Sequence, residues 1–229
     1  MSVYDDFSYS AADFSGRTRL FPLPNLVLFP HVMQPLHVFE PRYRDLLREA
    51  LAEDRLISMA VLQPGWEKDY EGRPPVYPVA CLGRIAAHHE LPNGSSNLLL
   101  CGLYRVRLLG ELPPAKRFRE AKARVCEDVT PPEDAVHGPV LLRQLRDAFF
   151  RLLPRLPQAQ EQWQQVLGGN LSLGALTDII SYLLDIDLAE KYSLLAEPNV
   201  RRRAERLLEH LAAMSSSRAD DFLPEFSAN

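Results

Sequence analysis

Lysine is scarce in this chain. Only Lys68, Lys116, Lys122 and Lys191 occur among 229 residues, so arginine carries the basic side. Few side chains remain for a catalytic amine or for an ammonium gripping phosphate, and the planar guanidinium fork is what the sequence offers instead. Cysteine is scarce too. Cys81, Cys101 and Cys126 are odd in number, far apart and without a CxxC pair, which argues against a disulfide framework and a thiolate metal site. Their apolar or alternating neighbours read as buried free thiols in a reducing cytosol. The apolar stretch from Leu20 to Phe29 is broken by Pro22, Pro24 and Asn25, and no run approaches the roughly 20 residues of a membrane helix. The first residues have neither a basic start nor an apolar run, unlike a secretory leader, so a cytoplasmic protein is expected. No glycine is followed by lysine and no GxSxG occurs, which leaves out the phosphate-cradling loop and the nucleophile elbow. The net charge of -4 gives no whole-molecule attraction to nucleic acid or anionic lipid.

What is present changes texture along the chain. Residues 1–16 mix acids, serines and isolated aromatics (Tyr4, Phe7, Tyr9, Phe14) without a period and read as a disordered tail. From Arg19 onward, Leu20, Leu23 and the block Leu26 to Phe29 read as extended chain, because the interleaved prolines forbid a helix interior. Val32 to Phe39 is a second strand, with Pro35 demanding an edge or a bulge. Pro41 opens a helix as a first-turn residue. Tyr43, Leu46, Leu47, Ala50 and Leu51 fall on one face of that helix, opposite Arg42, Arg44, Arg48, Glu49 and Glu53. Leu56 to Leu62 is a strand, and the proline- and glycine-rich stretch 63–78 is a long loop. Val79 to Glu90 and Asn97 to Leu109 form a hairpin across Pro92-Asn93-Gly94, where Asn-Gly supplies positive-φ residues. Phe118 to Val129 is the last strand.

After Thr130-Pro131-Pro132 the period becomes helical. Leu141, Leu145, Ala148, Phe149 and Leu152 mark one helix, and Ala159, Trp163, Val166 and Leu167 a second. Ser172 caps a third carrying Leu176, Ile179, Ile180 and Leu183. Leu188, Tyr192 and Leu195 mark a fourth, and Val200, Ala204, Leu207, Leu208 and Leu211 a fifth, capped by Asn199. Residues 215–229 read as a second disordered tail. Strands followed by helices indicate α+β: a β-rich pseudo-barrel subdomain over 17–130 with one inserted helix, then a helical bundle over 131–214 that covers an open barrel edge.

These segments resemble a known family. Leu23-Pro24-Asn25-Leu26-Val27-Leu28-Phe29-Pro30, then Pro35 to Glu40, look like the opening of the amino-terminal substrate-binding domain of Lon-type proteases. The likeness continues through Val79 to Ile85, the Leu91 to Gly94 turn, Cys101 to Arg107, Leu176 to Ile180, Asp187 to Tyr192 and Leu194 to Arg201. It spans residues 17 to 213. The resemblance implies a PUA-like pseudo-barrel joined to a helical bundle. It also implies a non-catalytic module binding protein or unfolded polypeptide, with an ATP-dependent protease as one candidate partner. Neither a cofactor nor a metal is implied. A full Lon protease carries an ATPase and a serine-lysine peptidase, and their motifs are missing here: Lys191 and Ser193 stand at i and i+2, which do not face each other on a helix. An RNA-binding module is the alternative that a PUA-like barrel raises, opposed by the acidic balance.

Several residues invite sharper readings. His88 and His89 point to opposite faces of a strand and His31 and His37 flank another, so none forms a metal set. The run Arg201, Arg202, Arg203 and Arg206 reads as a solvated helix face. The loop aromatics Trp66, Tyr70 and Tyr77 are candidates for protein contact, because rigid rings on loops suit peptide binding. Phe39, Tyr43 and Tyr104 mark a second candidate groove.

Overall fold

The computed structural model describes residues 9–132, 134–152 and 171–216. Its strands are β1 (Arg17–Leu23), β2 (Met33–Val38), β3 (Leu56–Val61), β4 (Val79–Glu90), β5 (Ser96–Glu111) and β6 (Arg119–Cys126). Its helices are α1 (Pro41–Ala52), α2 (Asp134–Leu152), α3 (Leu173–Leu183), α4 (Leu188–Ala196) and α5 (Val200–Ser216). The helix expected around Ala159 to Leu167 lies outside the described residues. The chain divides into two compact units, 1–127 with 181–198, and 128–180 with 199–229. Residues 181–198, which follow the barrel by more than fifty positions of sequence, thus pack with it.

The first unit is built on a six-stranded sheet in the order β2-β5-β4-β3-β1-β6, with a further β5–β6 pairing that closes five strands into a barrel. The open edge expected of the barrel is therefore absent: β6 satisfies both β1 and β5. β1 runs parallel to β3, which requires a crossover, and the segment holding β2 and α1 supplies it. β3 is buried at every position, as its largely apolar run Leu56 to Val61 demands; its one polar residue, Ser58, shares a hydrogen bond with Thr18 at 2.8 Å. Inside, Leu56, Ala60, Ala80, Leu82, Val106 and Ala123 form one cluster, with Tyr9, Phe14 and Tyr104 packed against it. Residues 9–16, read as tail, are thus tied down. A short 3-10 turn over Ala11–Asp13 is capped by Ser10, and Tyr104 Oη donates to the Tyr9 carbonyl at 2.5 Å.

Leu26 to Phe29 is not part of a ladder. Val27, Leu28 and Phe29 are buried, but the segment lies over Gly102 of β5. His31 N donates to the Gly102 carbonyl and Gly102 N to the Val32 carbonyl. A Cβ at Gly102 would stand 2.1 Å from the Phe29 carbonyl oxygen, so only glycine admits this approach. Pro35 lies in β2, which pairs with β5 alone, and a proline is tolerated on such an edge. In the hairpin turn Gly94 alone takes positive φ; Asn93 contributes its side chain, accepting from Ser95 N at 3.0 Å. The last strand stops at Cys126, and Val129 is instead exposed and bridged to Asn199. Cys81 and Cys101 are buried free thiols, whereas Cys126 is half-buried.

α1 is held by charge as well as by its apolar face. Tyr43, Leu46, Leu47 and Ala50 are buried. Arg19 of β1 reaches Glu49 at 3.0 Å and Asp54 at 2.7 Å, and pairs with Glu53. Burying a guanidinium is tolerable only when its donors are met in this way.

The second unit holds α2, α5 and the first residues of α3. Leu145, Phe149 and Leu152 of α2 and Leu207 and Leu211 of α5 are buried. Ser172 caps α3 through Ala175 N at 3.1 Å, and Asn199 caps α5 through Arg202 N at 3.1 Å. Arg203 departs from the solvated-face reading. It is fully buried, gripping Asp128 with two bonds of 2.8 and 2.7 Å and donating to Thr177 Oγ1 at 3.2 Å. α5 runs to Ser216, two positions into the stretch read as tail.

Candidate functional site

The six aromatics fall into separate places. Trp66, Tyr70 and Tyr43 come together. Phe39 stands at the end of β2, 64% exposed, with its ring 6.0 Å from His37. Tyr77 stacks on Tyr192 of α4 at 4.2 Å, and Tyr104 packs inside against Tyr9. Neither Tyr77 nor Tyr104 joins the first group.

That group is ordered by Arg42 at the start of α1. Phe21 and Tyr43 stack at 4.1 Å. The Arg42 guanidinium lies 4.8 Å from the Tyr43 ring and 4.7 Å from the Tyr70 ring, and Trp66 meets Tyr70 edge-on at 5.4 Å. The result is a ladder from the core outward: Phe21, Tyr43, Arg42, Tyr70, Trp66. Each cation–ring step stabilises by roughly 0.5–2 kcal/mol and each ring pair by roughly 0.5–1.5 kcal/mol. Glu40, at the cap position of α1, makes no cap bond. Its carboxylate accepts from Arg42 Nε at 3.0 Å and from Tyr70 Oη at 2.9 Å. Arg42 Nη1 donates to the Tyr70 carbonyl at 3.0 Å. Arg42 Nη2 lies 2.8 Å from Glu40 Oε2, yet its N–H bonds do not point at that oxygen and it is buried without a hydrogen bond. Direction decides here: a close but misaligned pair gains Coulomb energy without satisfying the donor.

The 63–78 loop is pinned rather than loose. Gln63 N donates to the Pro75 carbonyl, Tyr77 N to the Val61 carbonyl, and Arg119 Nη1 to the Pro74 carbonyl at 2.8 Å. Gly65 takes φ 90 to start a 3-10 turn over Trp66–Asp69. Trp66 and Tyr70 are therefore half-buried, presented on a fixed backbone. Tyr43 is 3% exposed and donates to the Pro22 carbonyl at 2.9 Å, so it belongs to the core, showing only an edge. Burial pushes the hydroxyl of Tyr43 far up from its ordinary value. Burial, reinforced by the Glu40 hydrogen bond, also raises that of Tyr70.

Beside the ladder opens a pocket of about 240 Å³. Tyr43, Tyr70 and Phe118 give it an aromatic wall, and Arg42, Arg73, Lys116, Arg117 and Arg119 supply cations, with Glu71 as the lining carboxylate. Lys116 Nζ stands 5.2 Å over the Phe118 ring. Arg42, Glu40 and the 116–119 segment were not among the sequence candidates. The signal was present in Lys116-Arg117-Phe118-Arg119, where an aromatic interrupts a basic run. Among the described residues no group of three or more His, Cys, Asp or Glu could hold a metal, and no helix is long and apolar enough to cross a membrane.

The closed barrel thus carries a cation–aromatic pocket where its strands hand over to loops. Residues 17–213 match the family model described as the ATP-dependent protease La (LON) substrate-binding domain, and the chain belongs to that family. It is 29% identical over 196 residues to a Lon protease of Heliobacterium modesticaldum, covering 84% of this chain and 23% of that protein. It is 26% identical over 194 residues to Lon protease 2 of Myxococcus xanthus, again covering 23% of the relative. The chain thus spans about a quarter of the length of the curated relatives it matches. In fold it resembles the N-terminal domain of the Mycobacterium avium complex Lon protease, with a TM-score of 0.67, 15% identity and coverage of 86% of this chain and 98% of that one. A Lon N-terminal domain protein from Xanthomonas campestris matches with a TM-score of 0.58 and 23% identity, covering 84% and 97%.

Proposed function

We propose that this chain is a non-catalytic module that recognises unfolded or tagged polypeptide and presents it to a protease or chaperone in the cytoplasm. The family's description as a substrate-binding domain supports the reading, and one observation carries it. A rigid aromatic ladder, rooted in the core at Phe21, brings Tyr70 to the wall of an open pocket, with Trp66 edge-on against it. Rings held on a pinned backbone give contact area at small entropic cost, which is what short-lived capture of chain segments needs. The buried free thiols Cys81 and Cys101 accord with a reducing compartment.

Replacing Trp66 and Tyr70 together by alanine tests it. Both rings are half-buried, so the variant should lose about 1–3 kcal/mol, against about 3–5 kcal/mol for each fully buried aromatic truncated. Capture of a carboxymethylated, permanently unfolded protein should fall sharply while the fold persists. Undiminished capture by a folded variant would sink the proposal.

A second reading, RNA binding, has one observation in its favour. Arg107 and Arg124 face each other across β5 and β6 and line a hollow of about 410 Å³. Arg105, beside them, is occupied by the Leu195 carbonyl at 2.9 Å, and the net charge of -4 opposes long-range attraction to phosphates.

A further inference from the structure

The pocket beside Tyr70 is small and chemically mixed. Its volume of about 240 Å³ lies under the roughly 300–1,000 Å³ of sites that enclose drug-sized molecules. It suits the end of one residue, not a length of extended chain. Its lining is both aromatic, through Tyr70 and Phe118, and cationic.

The cations are not equally occupied. Arg119 is held by Glu111 at 2.9 Å and by the Pro74 carbonyl, and Lys116 by Glu49 at 2.6 Å. Arg73 and Arg117 differ. Among the described residues their side-chain ion-pair partners, Glu111 and Asp45, stand at 3.8 Å, beyond hydrogen-bonding distance. Two guanidinium forks on the pocket lining thus keep donors for another acceptor, and Glu71 is the one carboxylate on the lining to oppose it. Guanidinium matches carboxylate in geometry, with paired N–H donors for paired oxygens.

A carboxylate joined to a bulky apolar body is what such a pocket accepts. In a polypeptide that pairing occurs at the last residue, where the terminal carboxylate and the side chain leave the same carbon. An internal Asp or Glu brings the charge without the apolar body. We propose that the pocket captures the free C-terminus of a polypeptide ending in a large apolar residue. Arg73 and Arg117 hold the carboxylate, and Tyr70 and Phe118 pack on the terminal side chain. The inference rests on the protein-recognition reading above and names its substrate class.

The test uses the intact chain and an N-acetylated hexapeptide ending in leucyl-phenylalanine, prepared as the free acid and as the C-terminal amide. Calorimetry should show the acid binding about ten-fold tighter or better, because charge-assisted hydrogen bonds become weak neutral ones in the amide. The acid form ending in glycine should also bind more weakly. In the double variant R73Q/R117Q the acid preference should vanish with little change in melting temperature, since both side chains reach solvent. Equal affinity for acid and amide overturns the proposal, as does a preference that survives in the arginine variant. So does an RNA oligonucleotide that displaces the acid peptide at lower concentration than the peptide itself requires. Failure of the broader reading looks different: the chain then captures neither unfolded protein nor either peptide. Capture of unfolded protein without acid preference removes the C-terminal assignment alone.

Discussion

Arg203 offers the sharpest test of how the second unit is held. The side chain has no exposure. It meets both oxygens of Asp128 at 2.8 and 2.7 Å, gives Nε to Thr177 Oγ1, and lies 3.8 Å from Asp178. Replacing it by methionine fills most of the volume and removes the charge. Asp178, 1% exposed, then loses its nearby cation in a place water does not reach, whereas Asp128, 32% exposed in its side chain, can rehydrate. Breaking a buried pair from one side costs about 3–5 kcal/mol, and rehydration of Asp128 places the expectation near about 3 kcal/mol. For a chain of this size that is a fall of about 6–12 °C in Tm. Arg203→Lys keeps the charge but loses the two-toothed grip, so it should fall in between. Thermal and urea unfolding followed by helical circular dichroism measures this, and combining Arg203→Met with Asp128→Asn should cost less than the sum of the two singles. Melting of Arg203→Met within about 2 °C of the parent would refute the reasoning, because the guanidinium would then contribute no more than its packing.

Two further predictions concern the barrel. Gly102→Ala puts a Cβ where the Phe29 carbonyl oxygen stands 2.1 Å away; the backbone must yield, and a loss of about 1–3 kcal/mol or more should appear in urea unfolding, while an unchanged midpoint would mean that the 26–32 segment is free to lift. Glu49 has the opposite tendencies of burial, which raises its carboxyl, and of hydrogen bonds and charge from Lys116 and Arg19, which prevail and hold it below its ordinary value. A folded value below the unfolded one gives stability that is fully present above the unfolded value and is lost as pH falls through the folded one. Glu49→Gln should therefore be destabilised at neutral pH and converge with the parent on acidification below the usual carboxylate range; a gap that persists there would refute the ionic account.

Much of the fold was legible because it follows period. The α1 face, the caps at Ser172 and Asn199 and the largely apolar run of β3 each reflect a local rule that tertiary contacts did not override. Elsewhere the deciding partner is distant in sequence. Leu26 to Phe29 announces burial through its composition, but only the closeness of Gly102 tells that it lies over a strand instead of within one. Tyr9 and Phe14 looked like stray aromatics because their partners, including Tyr104, are far along the chain. Arg203 was readable in principle: it stands three residues after Val200 and four before Leu207, on the stripe that α5 buries, so periodicity placed it inside even though its charge argued for solvent. In the candidate site, Trp66 and Tyr70 were visible as aromatics on a loop. Arg42 was not, since its place on the polar face of α1 matches that of Arg44 and Arg48. Its role depends on the Tyr43 ring beside it on α1 and on the Tyr70 ring that the loop brings.

The position of the pocket follows from the topology. β1 and β3 are parallel, with Pro22 opposite Ala60 and Leu23 opposite Val61, so both strands end on the same side of the barrel. β6 runs against β1, pairing Arg119 with Leu20, and therefore begins on that side. The 63–78 loop leaves β3 there, the segment ending in Lys116-Arg117-Phe118 enters β6 there, and Tyr43 of α1 is bonded to Pro22 at that end of β1. Concave sites form readily where the carboxyl ends of parallel strands hand over to loops, because adjacent connections diverge and leave a crevice. The barrel interior packs Leu56, Ala60, Ala80, Leu82, Val106 and Ala123 against one another and so fixes the strands that carry the rim. The proposed recognition rests on side chains whose replacement leaves the strand register untouched. Tyr70, Arg73 and Arg117 belong to that class, whereas Tyr43, sharing the same wall, is bound into the core. The same wall thus separates residues proposed to set what is held from those that keep it standing, and the Trp66/Tyr70 and Arg73/Arg117 variants probe only the first kind.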